Sequence, residues 1–280
     1  MFHAYYPGRS FPSVSVTGTA CSLHCKHCNA HYLEGMHPAL TPDDLIEFSR
    51  ALKKSGGEGF LLSGGSDKRG VVPLMRYAPA IRKIKEETGL IINAHIGFAD
   101  RDEIEALVSA GVDVFSVDIV GDSSTVKRVY GLEKTVDDYI SLLNNLEYAG
   151  AAVVPHITAG LDFGRIRGEY GAVDMVSGYN FKALVFLSLV PTRGTAMENL
   201  PPLPEEDLLS LLKYAIERFS GDVLVGCMRP RYQRKWEIEA VKSGISGIVI
   251  PASPTLSFVK ESGMKIEVHN HCCALRALGL

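Results

Sequence analysis

Cys21, Cys25 and Cys28 lie together in the run Gly18-Thr-Ala-Cys21-Ser-Leu-His-Cys25-Lys-His-Cys28. Three thiolates at C-x3-C-x2-C spacing can wrap one face of an iron–sulfur cubane, leaving one iron without a protein ligand and open to a small molecule. Structural zinc wants four closed protein ligands, usually two C-x2-C pairs. His24, His27 and His31 could complete such a site, so zinc is the alternative metal, although paired C-x2-C motifs at the usual separation are absent. A redox C-x-x-C pair would leave Cys21 unexplained.

The other three of the six cysteines are Cys227, in Gly226-Cys-Met-Arg-Pro, and the vicinal pair Cys272-Cys273, in His269-Asn-His-Cys-Cys-Ala. A vicinal pair in a polar, His-rich tail is poorly explained as core. If the tail meets Cys227, three thiolates can hold a second iron–sulfur cluster, with Arg229, His271, a serine or a substrate group at its fourth iron. Three unrelated buried thiols are the alternative.

The totals frame this chemistry. The chain has 280 residues, 46% hydrophobic and 22% charged, with 29 basic against 32 acidic side chains and net charge −3. No basic stripe argues for nucleic acid, no Lys/Arg block for a membrane surface, and no apolar run is long enough to span a bilayer. No signal-peptide pattern is present. A soluble cytoplasmic protein is expected, with its cysteines reduced.

The elements that must position these residues follow a repeating pattern: a helix ends at glycine and a short apolar strand follows, at Gly89, Gly111, Gly150, Gly221 and Gly244. Glycine at the helix C′ position adopts the left-handed conformation, and continuous apolar runs read as parallel strands buried on both faces. Thr41-Pro42-Asp43-Asp44, Asp100 with Glu103, and Thr135 with Asp138 read as helix starts. Eight strands are expected near 14–17, 59–63, 90–95, 112–118, 151–158, 182–189, 222–227 and 246–250, with a short helix near 255–262. Eight β-α units of this length predict a closed or nearly closed (β/α)8 TIM-type barrel as a single domain, 1–280. The tail, 252–280, is expected to fold over the barrel mouth and contribute ligands. An open doubly wound sheet is the alternative. Barrel active sites lie at strand C-termini, where Asn93, His95, Ser116, Asp118, His156, Thr158 and Ser188 gather. Val154, Val185, Leu187 and Val225 are candidates to line a cavity or to fill the core.

The C-x3-C-x2-C loop after the first expected strand resembles the signature of the radical S-adenosylmethionine (SAM) superfamily. His27 stands where that family often has an aromatic residue. The resemblance implies a [4Fe–4S] cluster held by Cys21, Cys25 and Cys28, whose open iron binds SAM and whose reduction yields a 5′-deoxyadenosyl radical. Ser63-Gly64-Gly65-Ser66 is similar to the family's Gly-Gly-Glu segment, whose backbone receives the SAM amino group; Ser66 replaces the Glu. Ser116 and Asp118 resemble the pair that binds the SAM ribose, and His95 and His156 are further expected SAM contacts. No side chain is expected to be catalytic in itself.

The segments Cys21–Met36, Pro191–Thr195, Gly226–Arg231 and Glu267–Leu275 resemble the biotin synthase and lipoyl synthase branch, most closely one subunit of the two-protein lipoyl synthases. That resemblance implies sulfur insertion into an octanoyl chain on a lipoyl-domain protein. It also implies an auxiliary cluster, of [4Fe–4S] type, on Cys227, Cys272 and Cys273. Expected partners are a second radical SAM subunit and a reductant such as ferredoxin. Biotin synthase-like, hydrogenase-maturase-like and mutase-type chemistry on a small substrate are the alternatives, and a non-catalytic electron carrier is the alternative from another class.

Overall fold

The computed structural model describes residues 1–231 and 235–280. Its strands are β1 (Phe2–Tyr5), β2 (Ser13–Ser15), β3 (His37–Pro38), β4 (Gly59–Ser63), β5 (Ile91–His95), β6 (Val114–Asp118), β7 (Val153–Ala159), β8 (Ala183–Ser188), β9 (Asp222–Val225), β10 (Gly247–Val249) and β11 (Ile266–His269). The helices are α1 (Pro42–Lys54), α2 (Ala78–Thr88), α3 (Arg101–Ala110), the single turn α4 (Ser123–Thr125), α5 (Val136–Tyr148), α6 (Glu169–Ser177), α7 (Glu205–Arg218), α8 (Lys235–Ser243) and α9 (Ser253–Glu261). All neighbouring strands pair parallel, in the order β11-β1-β10-β9-β8-β7-β6-β5-β4-β2-β3.

Local chemistry explains most boundaries. The Thr41 hydroxyl accepts from the Asp44 backbone N–H at 3.2 Å while the Asp44 carboxylate accepts from Thr41 N–H at 2.8 Å, and Asp100–Glu103 and Thr135–Asp138 form the same reciprocal cap. Gly89 and Gly111 end their helices at φ 63° and 100°. Gly221 differs: its φ is not positive, and a Cβ there would meet the Lys182 carbonyl oxygen at 2.5 Å, so close backbone approach requires it.

The barrel expectation is overturned in one respect: the sheet curls but does not close. Its edges are β3 and β11. Closure would need those strands to pair, yet β3 has only 2 residues, both exposed, and one is Pro38, which offers no N–H to a ladder. All eight expected strands are present, and β1, β3 and β11 are additional.

Alternate residues divide between two cores. Phe60, Ile92, Phe115, Ile157, Phe186 and Val225 pack outward under the helices, so Val225 lines no cavity. Val114, Val154, Ala183, Val185 and Leu224 face the concave side, where Cys273, Ala274, Leu275 and Ala277 of the terminal 3-10 helix (Cys273–Leu278) cover them. The second correction follows. Val114, Ala183 and Asp222 are the first residues of β6, β8 and β9, and Arg276 donates to the Asp222 carboxylate. The tail therefore fills the lower half of the concave face as a plug and does not roof the mouth. The apolar lower halves of these strands make this the favoured seat, because they would otherwise face water. No helix among the described residues is long and apolar enough to cross a membrane.

Leu275 is fully buried in this plug. Leu275→Ala should lower the unfolding free energy by about 2–5 kcal/mol, read from urea denaturation, as for other enclosed leucines. A change below about 0.5 kcal/mol would mean that the tail is not packed in solution.

Candidate metal and cofactor site

The loop from Ala20 to Leu33 follows β2 and is held from several sides. Ser22 N–H donates to the Ser66 carbonyl at 2.8 Å, and Lys26 N–H to the Val129 carbonyl at 2.8 Å. Asn29 reaches the Gly194 carbonyl at 3.4 Å, and Tyr32 hydroxyl lies 3.3 Å from that of Thr192, so the segment Pro191–Thr195 packs against the cysteine loop. His24, Asn29 and Ala30 have φ of 46°, 42° and 64°. Non-glycine residues in this region cost on the order of 1–3 kcal/mol each and persist where surroundings over-determine them. The turn Val126–Tyr130, which anchors Lys26, is itself a π-helix, a rare form frequent at functional sites.

Within the loop, the ligand atoms of Cys25, His27 and Cys28 lie within 4.8 Å of one another. Cys25 and Cys28 share a hydrogen bond, which drives the Cys28 pKa down and that of Cys25 up; His27 adds to the lowering at Cys28, and burial adds to the rise at Cys25. Cys21 stands outside this tight group but is near enough to raise the Cys25 pKa. Of the three histidines weighed for zinc, only His27 joins the thiols. His24 contacts Asn29 at 3.1 Å and His31 pairs with Glu34 at 3.0 Å.

Gly64 and Gly65 connect this loop to β4. Gly65 N–H donates to the Thr17 hydroxyl at 2.7 Å. A Cβ on Gly65 would lie 1.9 Å from the Ala20 carbonyl oxygen and 2.6 Å from Cys21 Cα. Glycine at 65 is thus required by the cysteine loop itself, whatever else approaches it. Ser63 and Ser66 each give their carbonyl to this junction, to Val16 and Ser22 respectively.

The expected cofactor residues are layered by height. At the C-terminal strand ends, the His95 and His156 rings lie 5.4 Å apart, and Asp118 is exposed at the end of β6. Burial lowers the pKa of both imidazoles, while the Asp118 charge opposes the lowering. His156 Nδ1 lies 3.1 Å from the Val154 carbonyl, which can only accept, so Nδ1 carries the proton. Tyr130 lies near enough to Asp118, Cys25 and Cys28 for all three to raise its pKa, although burial is the larger cause. Asp118 and the thiol loop therefore share one neighbourhood. Ser116 behaves differently: buried one pleat lower, it donates to Asn93 Oδ1 at 2.9 Å, so it stands below the polar rim.

Asn93, which the sequence presents only as one of several strand-end polar residues, joins Ser116 to the tail thiols. Its amide lies 3.8 Å from Cys272 Sγ. Cys272 and Cys273 share a hydrogen bond that lowers the pKa of the first and raises that of the second. Cys227, just past β9, lies close enough to Cys272 for their charges to raise its pKa, after burial as the main cause. Cys227 is nonetheless exposed to solvent at the strand end. Arg229 is committed elsewhere. Its guanidinium donates to the Gly226 and Val249 carbonyls at 2.6 and 2.9 Å and to Glu237 at 3.0 Å, so it holds the strand end that carries Cys227. His271 Nδ1 lies 3.1 Å from the Cys272 carbonyl. Of the apolar candidates, Val154 and Val185 are under the plug, and Leu187 is half-buried on the concave side.

Burial lowers the His156 pKa from 6.5 to about 4. The unfolded chain then takes up a proton before the folded one does. Stability from this group is complete above pH 6.5 and falls at about 1.4 kcal/mol per pH unit from there to about pH 4. The stability difference between the wild type and His156→Gln should therefore shift by about 3 kcal/mol against the wild type between pH 7 and 4, read by denaturation at each pH. A pH-independent difference would show that the imidazole is not held neutral.

A sequence profile described as the Radical SAM superfamily matches residues 15–163. Among curated proteins, the chain is 27% identical over 197 residues to a biotin synthase of Geotalea daltonii, covering 66% of this chain and 57% of that protein. It is 23% identical over 232 residues to one of Parabacteroides distasonis, covering 78% and 70%. The chain thus spans little more than half the length of the first of these relatives. Two solved structures share the fold. HydG, a maturase of the [FeFe]-hydrogenase, superposes with TM-score 0.69 at 16% identity over 99% of this chain and 66% of that one. Methylornithine synthase (PylB) gives 0.63 at 14% identity over 95% and 83%. The profile runs from β2 and the three-cysteine loop through β7, more than half the chain, and this protein belongs to the radical SAM superfamily.

Proposed function

We propose that this chain is the sulfur-inserting component of a two-protein lipoyl synthase, acting on an octanoyl chain carried on a lysine of a lipoyl-domain protein. The observation that carries the reading is the second thiol set. Cys272 and Cys273 are adjacent in the tail, Cys227 lies near enough to both for their charges to act on one another, and Asn93, bonded to Ser116, reaches Cys272. In this reading the two thiol sets bound one space, which suits a reaction that needs a hydrogen acceptor on one side of a C–H bond and a sulfur donor on the other.

The side chains fit these groups. The hydrogen bond with Cys25, helped by His27, lowers the Cys28 pKa, which favours the thiolate form that a metal ligand takes. In this reading Cys21, Cys25 and Cys28 hold a [4Fe–4S] cluster with SAM, and Cys227, Cys272 and Cys273 hold a second one. When bound, the first supplies hydrogen-atom removal from an unactivated C–H and the second supplies sulfur. The remaining residues bind and orient. The Gly64–Gly65 backbone borders the SAM site, and Asp118 accepts from ribose hydroxyls. Neutral His95 and His156 keep the pocket wall uncharged. Leu187 offers apolar surface to an acyl chain. Asn93 orients Cys272. A second radical SAM subunit and a ferredoxin-type reductant are the partners this reading requires.

The similarity to biotin synthases favours a second reading, sulfur insertion into a small free substrate. Anaerobic incubation with dithionite, SAM, the second radical SAM subunit and an octanoyl-lysine peptide, followed by mass spectrometry, separates the two: a sulfur-bearing peptide supports the first, and SAM cleavage with an unmodified peptide refutes it.

Three mutational outcomes are expected. Alanine at Cys21, Cys25 or Cys28 should reduce 5′-deoxyadenosine formation to background. Alanine at Cys227, Cys272 or Cys273 should spare that cleavage within a few-fold and abolish C–S bond formation. A Cys272→Ala variant that still forms the C–S bond would refute a sulfur-donating role for this thiol set. Gly65→Val should lower iron per chain by about four, the content of one cubane, since its side chain displaces Ala20 and Cys21. Iron at the wild-type level with SAM affinity alone reduced would mean that the loop yields to the added side chain.

A further inference from the structure

Outside both thiol sets, the open edge of the sheet carries a cluster that the proposed chemistry does not use. Glu267 is the register partner of His3 across the β1–β11 ladder, and His269 is that of Tyr5. His3 Nδ1 lies 2.9 Å from His269 Nε2 and 3.6 Å from Glu267 Oε2, and the three ligand atoms lie within 4.8 Å of one another. His3 and His269 are buried and Glu267 is exposed. Tyr5 stacks on His269 at 4.7 Å, and His271 lies 5.0 Å beyond. The Tyr5 hydroxyl is buried without a hydrogen-bond partner.

We propose that His3, Glu267 and His269 form a binding site for a single divalent ion of the zinc class. Ligands about 2.0–2.2 Å from a tetrahedral zinc stand about 3.3 Å from one another. The 2.9 and 3.6 Å separations from His3 Nδ1 bracket that value, and all three ligand atoms lie within 4.8 Å of one another, so small side-chain rotations bring them to it. Two imidazoles and one carboxylate are a borderline donor set suited to Zn²⁺. Burial lowers the pKa of both histidines, so their nitrogens are free of the extra proton that would compete with a metal. Arg276 is the nearby opposing charge, and its partner Asp222 offsets it. Glu267, half in solvent, leaves the fourth position to water.

The site would act as a clasp. It joins β1 to the edge strand β11, three residues before Cys272, and so fixes the strand from which the plug and its thiols enter the concave face. This inference stands apart from the sulfur-insertion reading, because neither thiol set takes part in it.

The test uses cluster-loaded protein, in which the thiols are occupied. Wild type, His3→Gln and Glu267→Gln are incubated anaerobically with a several-fold excess of zinc chloride, desalted, and assayed for zinc, iron and sulfide. Wild type is expected to retain about one zinc per chain with iron and sulfide unchanged. Both variants are expected to lose more than about tenfold in zinc affinity while keeping their clusters. Glu267 is on the surface, so its variant reports even if His3→Gln folds poorly. Zinc should also slow amide exchange across Ile266–His269 in the wild type only. Failure of the wild type to retain zinc, equal retention by all three proteins, or uptake matched by loss of iron would overturn the site.

Discussion

A parallel sheet must be covered on both faces, and in this protein the second face is covered by the chain's own end. Helices bury the outer face, where Phe60, Ile92, Phe115 and Phe186 point. The concave face carries Val114, Val154, Ala183, Val185 and Leu224 in its lower half, and Cys273, Ala274, Leu275 and Ala277 of the tail pack against them, with Tyr5 and Phe11 in the same cluster. Because the tail enters through an unclosed sheet, it can be both core and site. Its apolar residues sink, and Cys272 is left level with Asn93, in the middle of β5. One packing requirement thereby sets the floor of the cavity and the height of its thiols.

Above that floor the polarity is graded. Ser116 and Asn93 satisfy each other in the buried layer, as buried polar groups must. His95 pairs with Ser116 in the ladder and His156 with Asp118 one pleat higher; burial lowers the pKa of both imidazoles, and Asp118 keeps contact with solvent. Such an arrangement can receive a ligand that is partly charged at the rim and apolar beneath. The three-cysteine loop faces this space at the cost of three left-handed, non-glycine residues, and its supports are correspondingly many: β4 through Ser66, the 126–130 turn through Val129, and the Pro191–Thr195 segment through Thr192 and Gly194. That last segment is remote in sequence but lies against the loop.

What the sequence makes legible is local. Capping boxes at Thr41, Asp100 and Thr135, glycine stops at Gly89 and Gly111, and apolar strands of three to seven residues are written in contiguous residues, and each is found. The cysteine spacing is equally local. What escapes is non-local. β1 and β11 become strands by pairing with each other and with β10, and nothing within Phe2–Tyr5 or Ile266–His269 announces partners about 260 residues away. The same blindness hides the link from Asn93 to Cys272 and the grouping of His3 with His269. Closure fails for a reason that strand counting cannot see: two surplus strands lengthen the sheet, and β3 at the far edge is too short and too proline-limited to pair.

Gly65 illustrates how one residue can be singled out for an incomplete reason. Paired glycines after a strand suggest room for a ligand. The distances instead show the Ala20 carbonyl and Cys21 backbone occupying the space a Cβ would need. A ligand approaching Gly64–Gly65 from the other side is compatible with this, but the glycine is already demanded by the contact between the loop and β4. The three-cysteine loop and the Gly64–Gly65 backbone are therefore packed directly on each other, and a change that moves one moves the other. On the opposite side of the cavity the thiols depend on β11 and the plug, elements fixed from the far end of the chain. The second thiol set is thus positioned by how β11 is held against β1 at one edge of the open sheet, while the three-cysteine loop follows β2 beside the other edge, so the β1–β11 ladder bears directly on where Cys272 and Cys273 stand.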